Sequence, residues 1–181
     1  MPGDVDVAVV GAGFTALWSA YYLLRAEPGL RVGLVEAEVA GFGASGRNGG
    51  WCSALFPSSE SRLAKVAGPD AARRMRLAML ATVDEVGRVP AEEGIDAHFR
   101  KGGTVVAART TAQLSRAMAE VHAARQRGIG AEDLDLLSEE AVTARVDATS
   151  VLGATHTPHC ARIHPAGWGE GSPVRSRPAA A

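Results

Sequence analysis

The sequence predicts an α/β fold that opens with a parallel β-α-β unit and continues into an α+β region of antiparallel strands. Two observations carry this. Val5–Val10 and Val32–Glu36 are short apolar runs rich in β-branched residues and without polar alternation, the pattern of strands covered on both faces. Between them, Phe14–Arg25 is rich in helix formers until Pro28-Gly29 interrupts the pattern, which gives a crossover of the length that parallel pairing needs. Beyond Gly94, short runs divided by glycine turns replace that alternation.

Composition narrows the function classes. With 46% hydrophobic and 22% charged residues, the 181-residue chain reads as a soluble globular protein of one domain or one and a half. Lys plus Arg (19) nearly balances Asp plus Glu (20), so no global field exists to draw a nucleic-acid backbone or an anionic membrane, and nucleic acid is not expected as a partner. The uncharged run Val7–Leu24 approaches the length of a membrane span, but Asp4 and Asp6 precede it and Gly11 and Gly13 interrupt it, so neither a span nor a signal peptide is expected. Two widely separated cysteines, Cys52 and Cys160, favour a reducing compartment and a cytoplasmic location.

The remaining elements follow in order. Gly41–Gly50, GFGASGRNGG, is too glycine-rich for regular structure and needs a ligand to be ordered. Ser59–Ala67 and Asp70 to about Val89 read as helices, the second with Met75, Met79, Val83 and Val86 on one core-facing stripe, and Pro90 should end or kink it. Ile95–Arg100 and Thr104–Ala108 flank Lys101-Gly102-Gly103 as an antiparallel hairpin would. Thr110 or Thr111 caps a helix reaching about Arg127, with Leu114, Met118 and Val121 on one face; Leu134–Leu137, a Ser138-capped helix and Gly153–His156 complete the pattern. Pro165 is placed to start a helix, yet the glycines and proline after it should prevent one. We therefore expect residues 1–94 to form the nucleotide-binding part with its following helices, 95–166 a partial second domain, and 167–181 a disordered tail.

Gly11-Ala12-Gly13-Phe14-Thr15-Ala16 is a GxGxxA sequence lodged between an expected strand and an expected helix. Gly11 permits the tight turn, Gly13 lets the main chain approach a pyrophosphate, and Ala16 keeps helix and strand close, while the amides of the first helical turn, at Phe14 and Thr15, carry partial positive charge. Glu36 ends the second strand about 20 residues further on, where a carboxylate accepts hydrogen bonds from an adenosine ribose and disfavours a 2′-phosphate. Strand, glycines, helix and acid together indicate a Rossmann-like dinucleotide site. Both FAD and NAD carry the moiety such a half-site reads, so these residues alone leave the two open.

With GAGFTA, the strand-terminal Glu36 and the run GASGRNGG, the chain resembles the FAD-dependent oxidoreductases of the D-amino-acid oxidase-like family, and within it the gamma-glutamylputrescine oxidase-like branch. The likeness covers about Val5 to Ala166 and includes Ala161-Arg162-Ile163-His164-Pro165. It implies FAD as cofactor, with Gly11, Gly13, Phe14, Thr15, Ala16 and Glu36 on its ADP half and Ser45, Arg47, Asn48 and Gly49 near the diphosphate and flavin. It also implies hydride transfer from the carbon of a C–N bond in a small amine or amino acid to the flavin, with reoxidation by oxygen, and an antiparallel substrate domain that this chain would only begin. Because family members run much further, we expect a truncated copy, incomplete at the C-terminus, with a shifted reading frame as one origin. The alternatives are an inactive remnant and an NAD-binding module without oxidase activity.

The sequence names no catalytic residue. His156, His159, Cys160 and His164 lie within one short segment, but Pro158 and Pro165 restrict it and no second ligand pair appears, so no metal is expected. Trp51 and Cys52 follow the glycine loop closely enough to approach a flavin, and are equally well read as a buried aromatic and a buried thiol.

Overall fold

The computed structural model describes residues 4–170. In chain order the elements are β1 (Val7–Val10), α1 (Phe14–Ala26), β2 (Val32–Val35), α2 (Ala44–Arg47), β3 (Trp51–Ser53), α3 (Glu60–Ala67), α4 (Pro69–Glu92), β4 (Arg100–Lys101), β5 (Thr104–Ala108), α5 (Thr111–Gln126), β6 (Asp135–Ser138), α6 (Glu139–Thr143), β7 (Gly153–Thr157), β8 (Cys160–Arg162) and α7 (Pro165–Glu170). They divide into two compact units. Unit 1 takes the described residues of Met1–Cys52, Asp84–Arg100 and Arg162–Ala181; unit 2 takes Ser53–Val83 and Lys101–Ala161. No helix among the described residues is long and apolar enough to cross a membrane.

Unit 1 is the β-α-β unit with a core assembled from three separate stretches of chain. β1 and β2 pair in parallel, Val7 opposite Val32 through Val10 opposite Val35. α1 covers them with Leu17, Trp18, Ala20 and Tyr21, and burying Leu17 alone contributes about 2 kcal/mol. The same core takes in Val89 from α4, Ala97 from the segment after it, and Trp168 from α7. Tyr21 Oη donates to Glu93 at 2.5 Å and Tyr22 Oη to Glu85 at 2.6 Å, which tie α1 to the C-terminal part of α4. Burial and the Glu85 carboxylate push the Tyr22 hydroxyl up to about 12.

Unit 2 is an antiparallel sheet in the order β5-β7-β6, with Val106 and Leu136 flanking Thr155 of the central strand. Val142 and Val151 pack against Ala154 with Val105, Ala107 and Leu137 around them. α5 begins with a capping box, in which Thr110 Oγ1 accepts from the Gln113 amide and Gln113 Oε1 accepts from the Thr110 amide. Its core face carries Ala117 and Ala124, with Leu114 and Val121 half-buried beside them, and Met118, expected on that face, is 53% exposed.

Four sequence expectations are corrected here. The hairpin from Ile95 to Ala108 does not form: β4 and β5 belong to different sheets, and β5 pairs instead with β7. Residues 95–99 fold back on α4, with the Ile95 amide donating to the Pro90 carbonyl and the Phe99 ring filling the space beside Gly87. Pro90 does not end α4, which runs two residues further; it gives up one helical hydrogen bond to the preceding turn and is fully buried. The glycine loop contains a turn of helix, α2, and runs into β3. Lastly, Gly167–Glu170 are part of α7 and not of a disordered tail, because burying Trp168 outweighs the poor helix propensity of Gly167 and Gly169. Residues 171–181 of the expected tail lie outside the described residues. The expected division at residue 94 falls inside unit 1, since Val89 and Ala97 on either side of it share the same core.

Candidate functional site

The site is built where β1 hands over to α1. Gly11 continues the ladder, its amide donating to the Val35 carbonyl at 2.8 Å, and then turns with φ +90°, a conformation other residues adopt only with strain. Gly13 is the N-cap of α1 and offers no side-chain acceptor, and the first turn holds no acidic residue. The first helical hydrogen bond runs from the Leu17 amide to the Gly13 carbonyl at 3.0 Å. The amides of Phe14, Thr15 and Ala16 therefore have no acceptor within the helix, and no acidic residue of its first turn offsets the positive end of its dipole.

Two side chains converge on this corner. Glu36 lies just beyond β2 and accepts from the Ala12 amide at 2.7 Å and, through its other oxygen, from the Glu38 amide at 3.2 Å. These main-chain donors, the Ala12 amide foremost, hold its carboxyl below the usual glutamate range. A carboxylate has about four acceptor positions, so two remain for other donors. Ser45, in α2, accepts from the Phe14 amide through Oγ at 3.0 Å. A Cβ on Gly13 would stand 3.1 Å from that oxygen, so the absent side chain at Gly13 makes room for Ser45.

The other expected contacts stay within the glycine loop. Arg47 turns onto Phe42, with Nε donating to its carbonyl at 2.6 Å and the guanidinium 4.5 Å from its ring centre. Asn48 donates to the Ala44 and Ser45 carbonyls and accepts from the Gly50 amide, which makes it the clasp of α2. Gly49 is exposed. The structure thus joins Gly11, Gly13, Phe14, Glu36 and Ser45, and gives the Thr15 and Ala16 amides no acceptor among the described residues. The amide of Ala12, which orients Glu36, escaped sequence reading because it carries no side-chain signal.

Unit 2 holds a different ionic cluster. Asp133 accepts from Arg76 at 3.1 Å through one oxygen and pairs with His159 Nε2 at 2.8 Å through the other. All three side chains are largely buried, and His159 Nδ1 is buried without a hydrogen-bond partner among the described residues. Burial alone would raise the Asp133 carboxyl, but His159 and Arg76 outweigh it and hold it below the usual range. Both oxygens are engaged, so the cluster is a brace between α4 and the β7–β8 turn.

Comparison with known proteins gives the family of the chain. The chain is 34% identical over 160 residues to gamma-glutamylputrescine oxidoreductase of Escherichia coli K12, and 26% identical over 160 residues to the probable oxidoreductase OrdL of Haemophilus influenzae. Each match covers 88% of this chain and 36% of the relative, so the chain spans about a third of their length. Among solved structures, L-amino acid deaminase from Proteus vulgaris superposes with a TM-score of 0.73 at 19% identity, over 97% of this chain and 44% of the other. Glycine oxidase from Bacillus cereus gives 0.65 at 20% identity, over 95% and 43%. These similarities establish a shared fold. The family model described as FAD dependent oxidoreductase (DAO) matches residues 6–168, from β1 through Trp168, and the chain accordingly belongs to that family.

Proposed function

We propose that this chain supplies the ADP-binding half of the FAD site in an oxidoreductase acting on the carbon–nitrogen bond of a small amine or amino acid. The single observation that carries the reading is the N-terminus of α1, whose N-cap Gly13 makes no side-chain cap, with the Glu36 carboxylate beside it. The donor set fits the group: a diphosphate needs several convergent N–H donors and no bulky neighbour, and the Thr15 and Ala16 amides behind Gly11 offer that. Gly11, Gly13 and Phe14 would shape the turn around the diphosphate, the Thr15 and Ala16 amides would hold it, and Glu36 would take the adenosine ribose through its two remaining acceptor positions. Ser45 Oγ takes up one helix amide and keeps its own hydrogen to donate to a phosphate oxygen. Arg47, Asn48 and Gly49 would shape the loop alongside, Asn48 by clasping it and Arg47 as the cation closest in sequence to Ser45.

FAD, when bound, supplies the hydride acceptor, with dioxygen as the final oxidant. The chain's residues bind and orient: the amides fix the diphosphate, Glu36 fixes the ribose, and the rigid β-turn-α corner limits their movement. Substrates of the relatives' named types, amino acids and gamma-glutamylputrescine, support the amine class. The cysteine content supports a cytoplasmic setting.

Titrating the purified chain with FAD, and separately with NAD, tests the reading. Retained flavin with a visible absorbance band is expected, and amine-dependent bleaching would extend it to catalysis. A folded chain that binds NAD and leaves FAD in solution would overturn it.

A further inference from the structure

The glycine corner is braced from residues about 150 positions later in the chain. The Ile163 amide donates to the Gly50 carbonyl at 2.8 Å, at the end of the glycine loop, and the His164 amide donates to the Ala97 carbonyl at 2.8 Å. α7 starts immediately afterwards and packs against α2. It delivers Trp168 to the start of α1, where its ring centre lies 4.5 Å from that of Phe14, edge to face at 85°, and 4.4 Å from that of Trp18. Phe14 is therefore held twice, by its ring against Trp168 and by its amide on Ser45 Oγ. As the first residue of α1, it sets the direction in which the next two amides point.

Trp168 and Trp18 are each only 8% exposed, and both indole N–H groups are buried without a partner among the described residues. An unpaired buried donor is a desolvation cost that a purely apolar ring avoids. The N–H groups are also out of reach of any ligand at the surface. What Trp168 contributes is ring area and edge-to-face geometry.

We propose that Trp168 is a positioning residue for the dinucleotide site: it fixes Phe14, and through it the Thr15 and Ala16 amides, in the orientation that receives a diphosphate. This rests on the reading above that those amides bind FAD. Donors preorganised by packing bind without first being ordered, so loosening the contact weakens binding even where the fold persists.

The test compares Trp168→Leu and Trp168→Phe with the unmutated full chain. FAD and ADP dissociation constants are measured by titration, and the folded fraction of the ligand-free proteins by circular dichroism. Trp168→Leu is expected to fold and to bind FAD and ADP roughly tenfold more weakly. Trp168→Phe, which keeps an aromatic edge-to-face partner, is expected to restore affinity to within about threefold. A folded Trp168→Leu with unmutated affinity overturns the proposal, as does a Trp168→Phe no better than leucine. Should the leucine variant not fold, 5-fluorotryptophan in the unmutated chain decides: the Trp168 resonance, assigned by its loss in Trp168→Phe, moves on saturation with ADP, and an unmoved resonance overturns the proposal. Failure of the unmutated chain to bind FAD or ADP removes the nucleotide reading itself, whereas wild-type affinity in the variants removes only the role of Trp168.

Discussion

Glu36 and Asp133 are both carboxylates held below their ordinary range, yet they do opposite work. Glu36 is exposed, is oriented by the main-chain amides of Ala12 and Glu38, and has acceptor capacity left over. Asp133 is largely buried, and each of its oxygens is taken by a side-chain nitrogen, one of Arg76 and one of His159. Holding a carboxylate by peptide groups at an open edge leaves it available to a ligand, whereas holding it by arginine and histidine inside a unit spends it on the fold. A lowered carboxyl pKa by itself therefore does not mark a binding residue; the identity of its partners and its exposure do.

The largest expected effect breaks the buried member of the pair. Asp133→Asn leaves Arg76 without its counter-charge and disturbs the contact with His159, and should cost about 3 kcal/mol of stability, the low end for a buried pair losing one partner. Urea unfolding followed by circular dichroism would show the lowered midpoint. FAD affinity should be unchanged, and a loss of affinity in a fully folded variant would abolish the contrast between the two carboxylates.

Next in size is Gly13→Val, which sets a branched side chain against Ser45 Oγ and the amides behind it. About 2 kcal/mol of FAD binding, or roughly thirtyfold in affinity, should be lost in a titration. Glu36→Ala follows, with an expected loss of roughly tenfold in FAD affinity and a urea midpoint lowered less than in Asp133→Asn. Unaltered flavin retention in that variant would contradict the ribose contact.

Acid titration gives the smallest and most discriminating difference. Because the native carboxyls of both residues are lowered, each stabilising interaction is fully present above the ordinary carboxylate range and is lost as the pH falls through the native value. For Asp133 the loss should appear in stability: the penalty of Asp133→Asn should shrink as unmutated protein and variant converge in acid. For Glu36 it should appear in FAD affinity, which should persist through the range where free glutamate becomes protonated. Affinity falling already at mildly acidic pH would show that a group other than Glu36 controls binding.

The corner itself was legible because its residues act locally. Gly11 is defined by a backbone conformation, Gly13 by the absence of a side chain, and Glu36 by its place at the end of a strand, and all three lie within one β-α-β unit. The hairpin was misread because the Lys101-Gly102-Gly103 turn is compatible with pairing to either side, and only the position of β7 decides that β5 pairs with it and not with the residues before the turn. Pro90 misled for a similar reason, since its ring and missing amide disturb only the turn before it, and burial against distant residues decides whether the helix continues past it.

By itself the sequence determined the strand-glycine-helix corner, the acid beside it and the cap at Ser138, because these depend on neighbours a few residues apart and on one short crossover. Tertiary structure alone decided that Arg47 turns back onto Phe42, that Asp133 is consumed by Arg76 and His159, and that Trp168 closes a core begun at Ala12. Those outcomes depend on which distant side chains compete for the same space and the same charge, and on burial strong enough to make a helix of Pro165–Glu170 that local propensity disfavours.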